Sequence, residues 1–454
     1  MFQLRRLISV RRLARFVSFA GAIVAAIPTS GQEGDVRRVH DPCIIKADGW
    51  YYVFSTSGGI QIRRSRDLWH WKRVGEVFDR IPSWTKKAVP GVKSLWAPDI
   101  AYFRGWYRLY YSVSTFGKNR SCIGLAINRT LDPSDKRYRW IDRGPVISSR
   151  PGRDNFNAID PNVVFDGRQP WLAFGSFWSG IKLIQLDPET GLRSARGRTI
   201  YSIASRTGGA IEAPFVIKRG RFFYLFVSFD RCCRGIKSTY KIKVGRSERI
   251  TGPYKDRAGR PMMKGGGTLV LAGYGRYRGP GHNAVLSEKG RSWLVHHFYD
   301  AQHAGVATLQ IRPLLWDSDG WPLVGDPGVS AQTGSATSRR LDRPNVVGPW
   351  NVSIDFGEER VVRFLADGLI QGVGSRATWA LRRNRLVLRL PSVTGLRVGG
   401  AVECFFAADG RWFVGRSSDG AVVRGRRVRQ AGEHSTTLGF SRLRSTFALL
   451  EGPW

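Results

Sequence analysis

The stretch DPCIIKADGWYYVFS, Asp41 to Ser55, reads as two short apolar strands joined by an Asp-Gly turn. Glycine accepts the positive φ that a tight hairpin needs, and the aromatic and β-branched residues beside it favour extended chain. The pattern returns four times: APDIAYFRGWYRLYYS from Ala97, DPNVVFDGRQPWLAFGS from Asp160, EAPFVIKRGRFFYLFVS from Glu212 and HNAVLSEKGRSWLVHHF from His282. The five turn glycines are Gly49, Gly105, Gly167, Gly220 and Gly290. Repeat starts lie 56, 63, 52 and 70 residues apart, too far for a lone hairpin and enough for a four-stranded unit. Segments such as IQIRRSRDLWHWKRVG, CIGLAINRT, IKLIQLD and TYKIKVGRS supply the outer strands, and ATLQIRPLLWDSDGWPLV supplies late strands that close the ring. The chain is therefore expected to be all-β, a five-bladed β-propeller over residues 32–330. The competing architecture is a β-sandwich with chance likeness between hairpins.

Residues 331–345 are poor in apolar side chains and rich in Ser, Thr and Gly, as a linker is. Beyond them, GPWNVSIDF, VVRFLADGLIQG, ATWALRRNRLVLRLP, AVECFFAADGRWFVG and STFALLEG alternate around Asp-Gly turns. A small antiparallel β-barrel or sandwich over 346–454 fits this pattern.

The chain starts differently. Arg5, Arg6, Arg11, Arg12 and Arg15 precede an apolar run of twelve, Phe16 to Ile27, and small residues follow to Gly31. This is the pattern of a cleaved secretory leader over residues 1–31, and twelve apolar residues are short for a membrane span. The expectation is a secreted or periplasmic protein with no stable membrane insertion after cleavage; the export route stays open. Net charge is +37, but the arginines are spread along the chain and no nucleic-acid module is recognisable, so no nucleic-acid partner is expected. A basic surface favouring anionic polysaccharide is the economical reading. Cys43, Cys122, Cys232, Cys233 and Cys404 are too scattered for a disulfide framework and lack zinc-site spacing. The adjacent pair Cys232-Cys233 leaves a vicinal disulfide and two free thiols both open.

Superposing the repeats puts Asp41, Ala97, Asp160, Glu212 and His282 at one blade position. Innermost strands line a propeller's channel, so three carboxylates and a histidine remote in sequence are expected to meet in one pocket. Crowded carboxylates push one another's pKa values apart, which is the separation into acid and base that glycosidic hydrolysis uses. Trp96, Phe116, Phe177 and Trp178 fall at inner strand ends or in adjoining loops, where aromatic faces can pack on sugar C–H groups.

The motifs VHDPCII, LWAPDI, FNAIDPNVVFDG, FGSFWSGI, GGAIEAPFV, FDRCCRGIKSTYKIKVGRS, ITGPY, GGGT and GPGHNAV resemble those of the arabinanases of glycoside hydrolase family 43, from about His40 to Val324. The resemblance implies a secreted endo-1,5-α-L-arabinanase that inverts configuration. Asp41 would then be the general base, Glu212 the general acid, and Asp160 the residue that tunes and orients the acid. It places Gly117, Asn157, Ala158, Ile159, Ser176 and Phe177 along the substrate cleft. It also implies one metal ion in the channel, commonly calcium, held near His282 through water. Arabinan or arabinan-bearing pectin would be the polymer met, by a monomer. An exo-acting arabinofuranosidase or β-xylosidase of the same family, and a non-catalytic carbohydrate-binding propeller, are the alternatives.

Overall fold

The computed structural model describes residues 32–327, 341–373, 377–382, 385–390 and 400–428. The expected leader, most of the expected linker and the final STFALLEG segment lie outside the described residues. The chain forms a five-bladed β-propeller and a nearly closed eight-stranded antiparallel barrel, with one short α-helix, Ser83–Ala88, among the described residues.

Each sequence repeat became the inner hairpin of a blade. The inner strands are Cys43–Ala47, Trp96–Phe103, Asn162–Asp166, Ile211–Arg219 and Tyr277–Glu288, and each pairs antiparallel with the aromatic strand after its glycine turn. Two further strands complete every blade, and the first gains a fifth, Glu33–Gly34, parallel to His70–Glu76. The ring closes at the chain start. The Val39 and Leu309 amides donate to the carbonyls of Ala307 and Val36 respectively, at 3.1 and 2.8 Å. The Gln32 side chain reads the backbone of Ile311 in both directions, accepting its N–H at 3.0 Å and donating to its carbonyl at 3.1 Å. Val36, Val39, Tyr51 and Trp71 then pack with Ala284, Val295 and Ile311 in one apolar cluster joining the first blade to the last.

Strand register corrects one step of the repeat alignment. Cys43, Asp99, Asn162, Phe215 and Ala284 occupy equivalent places, opposite Phe54, Tyr110, Ala173, Phe226 and Val295. Two residues before them stand Asp41, Ala97, Asp160, Ala213 and His282, with φ of +51°, +39°, +60°, +54° and +48°. Ala213, not Glu212, is thus the fourth-blade equivalent of Asp41. The Ala-Pro of this repeat matches Ala97-Pro98, and Glu212 falls one residue earlier, level with His40, Trp96 and Ile159.

These left-handed turns share a cause. In four blades the amide donates to a side chain at the end of the preceding blade's second strand: Asp41 to His297 Nδ1, Ala97 to Thr56, Asp160 to Ser112 and His282 to Ser228, at 2.8 to 3.1 Å. The third blade has Gly175 at that place. Its missing side chain is replaced by Asp160, whose Oδ2 accepts the Ala213 amide at 3.1 Å. Gly175 itself has φ +128°, and a Cβ there would stand 2.6 Å from the Gly180 carbonyl oxygen. Gly175→Ala is accordingly expected to cost about 1–3 kcal/mol, read as a lower midpoint in urea unfolding; an unchanged midpoint would refute this account of the turn.

In the barrel, Leu369 bridges to Thr378, bringing the two outer strands Ile370–Gln371 and Thr378–Arg382 toward each other. Trp350 fills its interior with Phe364, Phe406 and Phe413 around it. The outside of the barrel is fastened to the last two blades. Phe356, Phe405, Trp412 and Val422 share an apolar cluster with Leu271, Leu314, Trp321 and Leu323. Asp326 meets Arg426 at 2.5 Å and Arg424 at 3.5 Å, and Arg416 donates to the carbonyls of Leu269 and Pro322.

Candidate active site

The N-terminal ends of the five inner strands converge on the channel, and the polar residues at those ends form one connected cluster. Asp41 is 8% exposed. Its Oδ2 accepts from Thr56 Oγ1 at 2.7 Å and lies 2.7 Å from His40 Nδ1; its Oδ1 lies 3.1 Å from His282 Nδ1 and 3.8 Å from His297 Nδ1. Burial works to raise the carboxyl's pKa, but His40 and His282 outweigh it and hold the group well below its ordinary value. His282 shows the converse: burial lowers its pKa, the Asp41 carboxylate raises it, and the net position is about 9.

Glu212 is equally buried and oppositely disposed. Its oxygens accept from Tyr240 OH at 2.6 Å and Ser176 Oγ at 2.7 Å, and burial raises its pKa despite these two donors. Asp160, 6% exposed, is raised chiefly by burial, with Glu212 and Asp41 adding to the effect against His282. Asp41 is thus held low while Glu212 and Asp160 are held high, the kind of separation that acid–base chemistry uses.

The cleft residues named from sequence fall into four groups. Phe116, Phe177 and Trp178 are 77%, 43% and 47% exposed, and Trp96 is half-buried with its indole N–H on Ser94. The Phe177 amide donates to the Ile211 carbonyl at 2.8 Å, which ties the aromatic loop to the strand that carries Glu212. Gly117, φ +76°, has open space where a side chain would stand. Asn157, Ile159 and Ser176 are buried at the channel mouth, and the Asn157 Oδ1 has no protein partner. Ala158 departs from expectation: it is fully buried in the cluster between the second and third blades, because its amide is drawn inward onto Ser149 Oγ, and it offers no surface to a sugar.

Several participants escaped the sequence reading. Asp99, two residues beyond Ala97, is pushed up to about 7 by burial, while the Val163 amide donates to it at 2.7 Å. An aspartate inside the apolar run PDIAYF was the available signal. Thr56 and Tyr240 stand just beside second or third strands and His297 and Tyr299 lie on the last blade's second strand; the motifs that contain Tyr240 and His297 did not single them out. Cys232 and Cys233 are joined in a disulfide, which resolves the alternative left open above.

His40, Asp41 and His297 offer ligand atoms within 4.8 Å of one another, a candidate metal-binding triad. One carboxylate and two imidazoles do not supply the six to eight oxygens of directly bound calcium. The side-chain N and O of buried Asn283 and the Nε2 of His297 nevertheless lack protein partners, and buried polar atoms of this kind call for water or a hydrated ion.

Comparison with known proteins agrees with this geometry. The family model of glycosyl hydrolases family 43 matches residues 36–322. An extracellular exo-α-(1→5)-L-arabinofuranosidase of Cellvibrio japonicus is 42% identical over 324 residues, 68% of this chain and 92% of that protein. An extracellular endo-α-(1→5)-L-arabinanase of Bacillus subtilis is likewise 42% identical, over 68% of this chain and 97% of its own length. The solved endo-arabinanase of Bacillus licheniformis superposes with a TM-score of 0.61 at 48% identity, covering 65% of this chain and all of that one. A Thermotoga petrophila structure with 24% identity covers 88% of this chain at a TM-score of 0.74, so its likeness of fold extends past the propeller. Five blades in register, one buried carboxyl held low and another held high at one channel, and a family match across the whole propeller have one common account: the chain belongs to glycoside hydrolase family 43.

Proposed function

We propose that this hydrolase is secreted and cleaves internal α-1,5-L-arabinofuranosidic bonds of arabinan with inversion, Asp41 serving as general base and Glu212 as general acid. The observation that carries the reading is the opposed state of two buried carboxyls in one channel. Asp41, ionised, takes a proton from water as it attacks the anomeric carbon. Glu212, protonated, gives its proton to the leaving oxygen from the other side. Asp160 holds the Ala213 amide beside Glu212, and by resisting ionisation spares the acid a second negative neighbour. Trp96, Phe116, Phe177 and Trp178 would form the sugar-binding face, with Gly117, Asn157, Ile159 and Ser176 beneath it. Solved and curated relatives include endo- and exo-acting enzymes, and product analysis on linear arabinan separates the two: early mixed oligosaccharides support internal cleavage, whereas monosaccharide alone from the start would overturn it.

The proposal extends to the surroundings. The leader over 1–31 exports the chain, in keeping with relatives named extracellular. Residues 32–330 form the catalytic unit, and 346–454 a separate β domain behind the 331–345 linker. The enzyme meets arabinan or arabinan-bearing pectin as a monomer, without nucleic acid. A single channel ion, calcium by resemblance, is assigned to a hydrated position near His282, since direct coordination by Asp41 would occupy the base. Such an ion supplies positive potential; the proton transfers belong to Asp41 and Glu212.

The acid's environment gives a signed pH prediction. Tyr240 donates to Glu212, which favours the ionised form and so lowers the pKa that burial raises. Tyr240→Phe removes the donor, the carboxyl keeps its proton to higher pH, and the alkaline limb of kcat/KM is expected to move upward by about one unit. A downward shift in the pH–rate profile would be incompatible with Glu212 as the acid.

A further inference from the structure

The turn between the second and third strands of the fourth blade carries the disulfide Cys232–Cys233, and it touches both halves of the acid–base pair. Its far end leads into Tyr240, which donates to Glu212. Its near end reaches Asp41 through a chain of three hydrogen bonds. The Cys233 amide donates to the Tyr299 hydroxyl at 2.7 Å, that hydroxyl lies 2.8 Å from His40 Nε2, and His40 Nδ1 lies 2.7 Å from Asp41 Oδ2.

The two ends of this chain are fixed by chemistry. The Cys233 amide can only donate, so the Tyr299 hydroxyl accepts from it. The Asp41 carboxylate can only accept, so His40 carries a proton on Nδ1 that points at it. His40 is further held by stacking on His297, centroids 4.1 Å apart, and the Cys233 Sγ rests 3.8 Å from its Nε2. Cys233 has φ +63°, a conformation a residue with a side chain keeps only under constraint. The covalent link to its neighbour adds a constraint at Cys233 itself to the hydrogen bonds that hold the rest of the turn, among them Thr239 N to Arg231 O at 2.9 Å, Arg234 N to Ser238 Oγ at 3.0 Å and Ser238 N to Gly235 O at 3.0 Å.

We propose that the Cys232–Cys233 disulfide is a positioning element for Asp41, acting through Tyr299 and His40, and that its reduction lowers turnover without unfolding the enzyme. Cys233 is exposed, so a small dithiol reaches it. The S–S bond breaks by thiolate attack and a mixed disulfide; the dithiol closes to its own cyclic disulfide, and two electrons and two protons pass to the protein as two thiols. Cys233 then relaxes, Tyr299 loses its amide donor, and His40 is no longer held in one orientation against Asp41. Misplacing a base in this way is expected to lower kcat roughly tenfold, with KM changed less than about twofold because the exposed aromatics stand elsewhere.

The test measures kcat, KM and melting temperature of the full chain, oxidised and dithiol-reduced, for wild type, Cys232→Ser/Cys233→Ser and Tyr299→Phe, with thiol titration against the free Cys43, Cys122 and Cys404. The expected result is a loss of kcat in reduced wild type that reoxidation restores. The double serine variant should have the low kcat in either state, and Tyr299→Phe should be low already and insensitive to reduction, since its link is cut. An unchanged kcat with two new thiols titrated would overturn the proposal. So would an additive loss in Tyr299→Phe, or a fall in activity that merely follows a collapse in melting temperature. The proposal rests on Asp41 being the base: a fully active Asp41→Asn would end that reading, whereas a redox-insensitive wild type ends this one alone.

Discussion

Asp41→Asn is expected to lower kcat on linear arabinan by about 10³-fold with little change in melting temperature. Asparagine keeps the shape of aspartate and an oxygen to accept the Thr56 hydroxyl, so the turn at φ +51° should survive. The charge does not survive. Without it no group at the strand end can take a proton from water, and His282 loses the partner that raises its pKa to about 9. A small anion that needs no deprotonation tests the role directly. Azide should restore part of the rate in Asp41→Asn and yield arabinosyl azide of inverted configuration. Near-normal turnover without azide, or an azide product of retained configuration, would remove Asp41 from the role of base.

Glu212→Gln is expected to lose a similar factor on arabinan, about 10³-fold, but far less on an aryl arabinofuranoside whose phenolate leaves readily. Protonation matters in proportion to the basicity of the leaving oxygen, so the two substrates separate an acid from a residue that only binds. Glutamine can still accept from Ser176 or Tyr240, both within 2.7 Å of the native carboxyl, which protects the fold. Equal losses on both substrates would show that Glu212 positions the sugar rather than protonating it.

The difference between these two carboxyls was only partly legible in the repeats. The Asp-Pro and Ala-Pro steps announced four strand starts and the His282-Asn283 repeat the fifth, and from them the channel and the meeting of Asp41, Asp160 and His282. The alignment placed Glu212 at the same step, but the register puts Ala213 there. One residue of offset matters here, because the chain turns through a positive φ at Ala213 and the register shifts between Glu212 and Phe215. The acid is consequently set among Ser176 and Tyr240, not among the imidazoles that surround the base. Asp160 shows a similar limit. Its carboxylate caps the Ala213 amide because Gly175 leaves a side chain out, a consequence that becomes visible only when two blades are laid together.

By itself the sequence determined the period, the five hairpins, the family motifs and four of the charged groups at the channel, Asp41, Asp160, Glu212 and His282. These follow from local chemistry: glycine turns, alternating apolar residues and prolines that open strands are properties of neighbours in the chain. Only the tertiary structure decided which carboxyl is ionised, that Asp99 and Tyr240 join the site, that Ala158 is sealed in the core, and that the Cys232–Cys233 turn touches His40 through Tyr299. Those properties depend on burial and on partners hundreds of residues away, such as His297 against Asp41, and ring closure alone brings such partners within hydrogen-bonding distance.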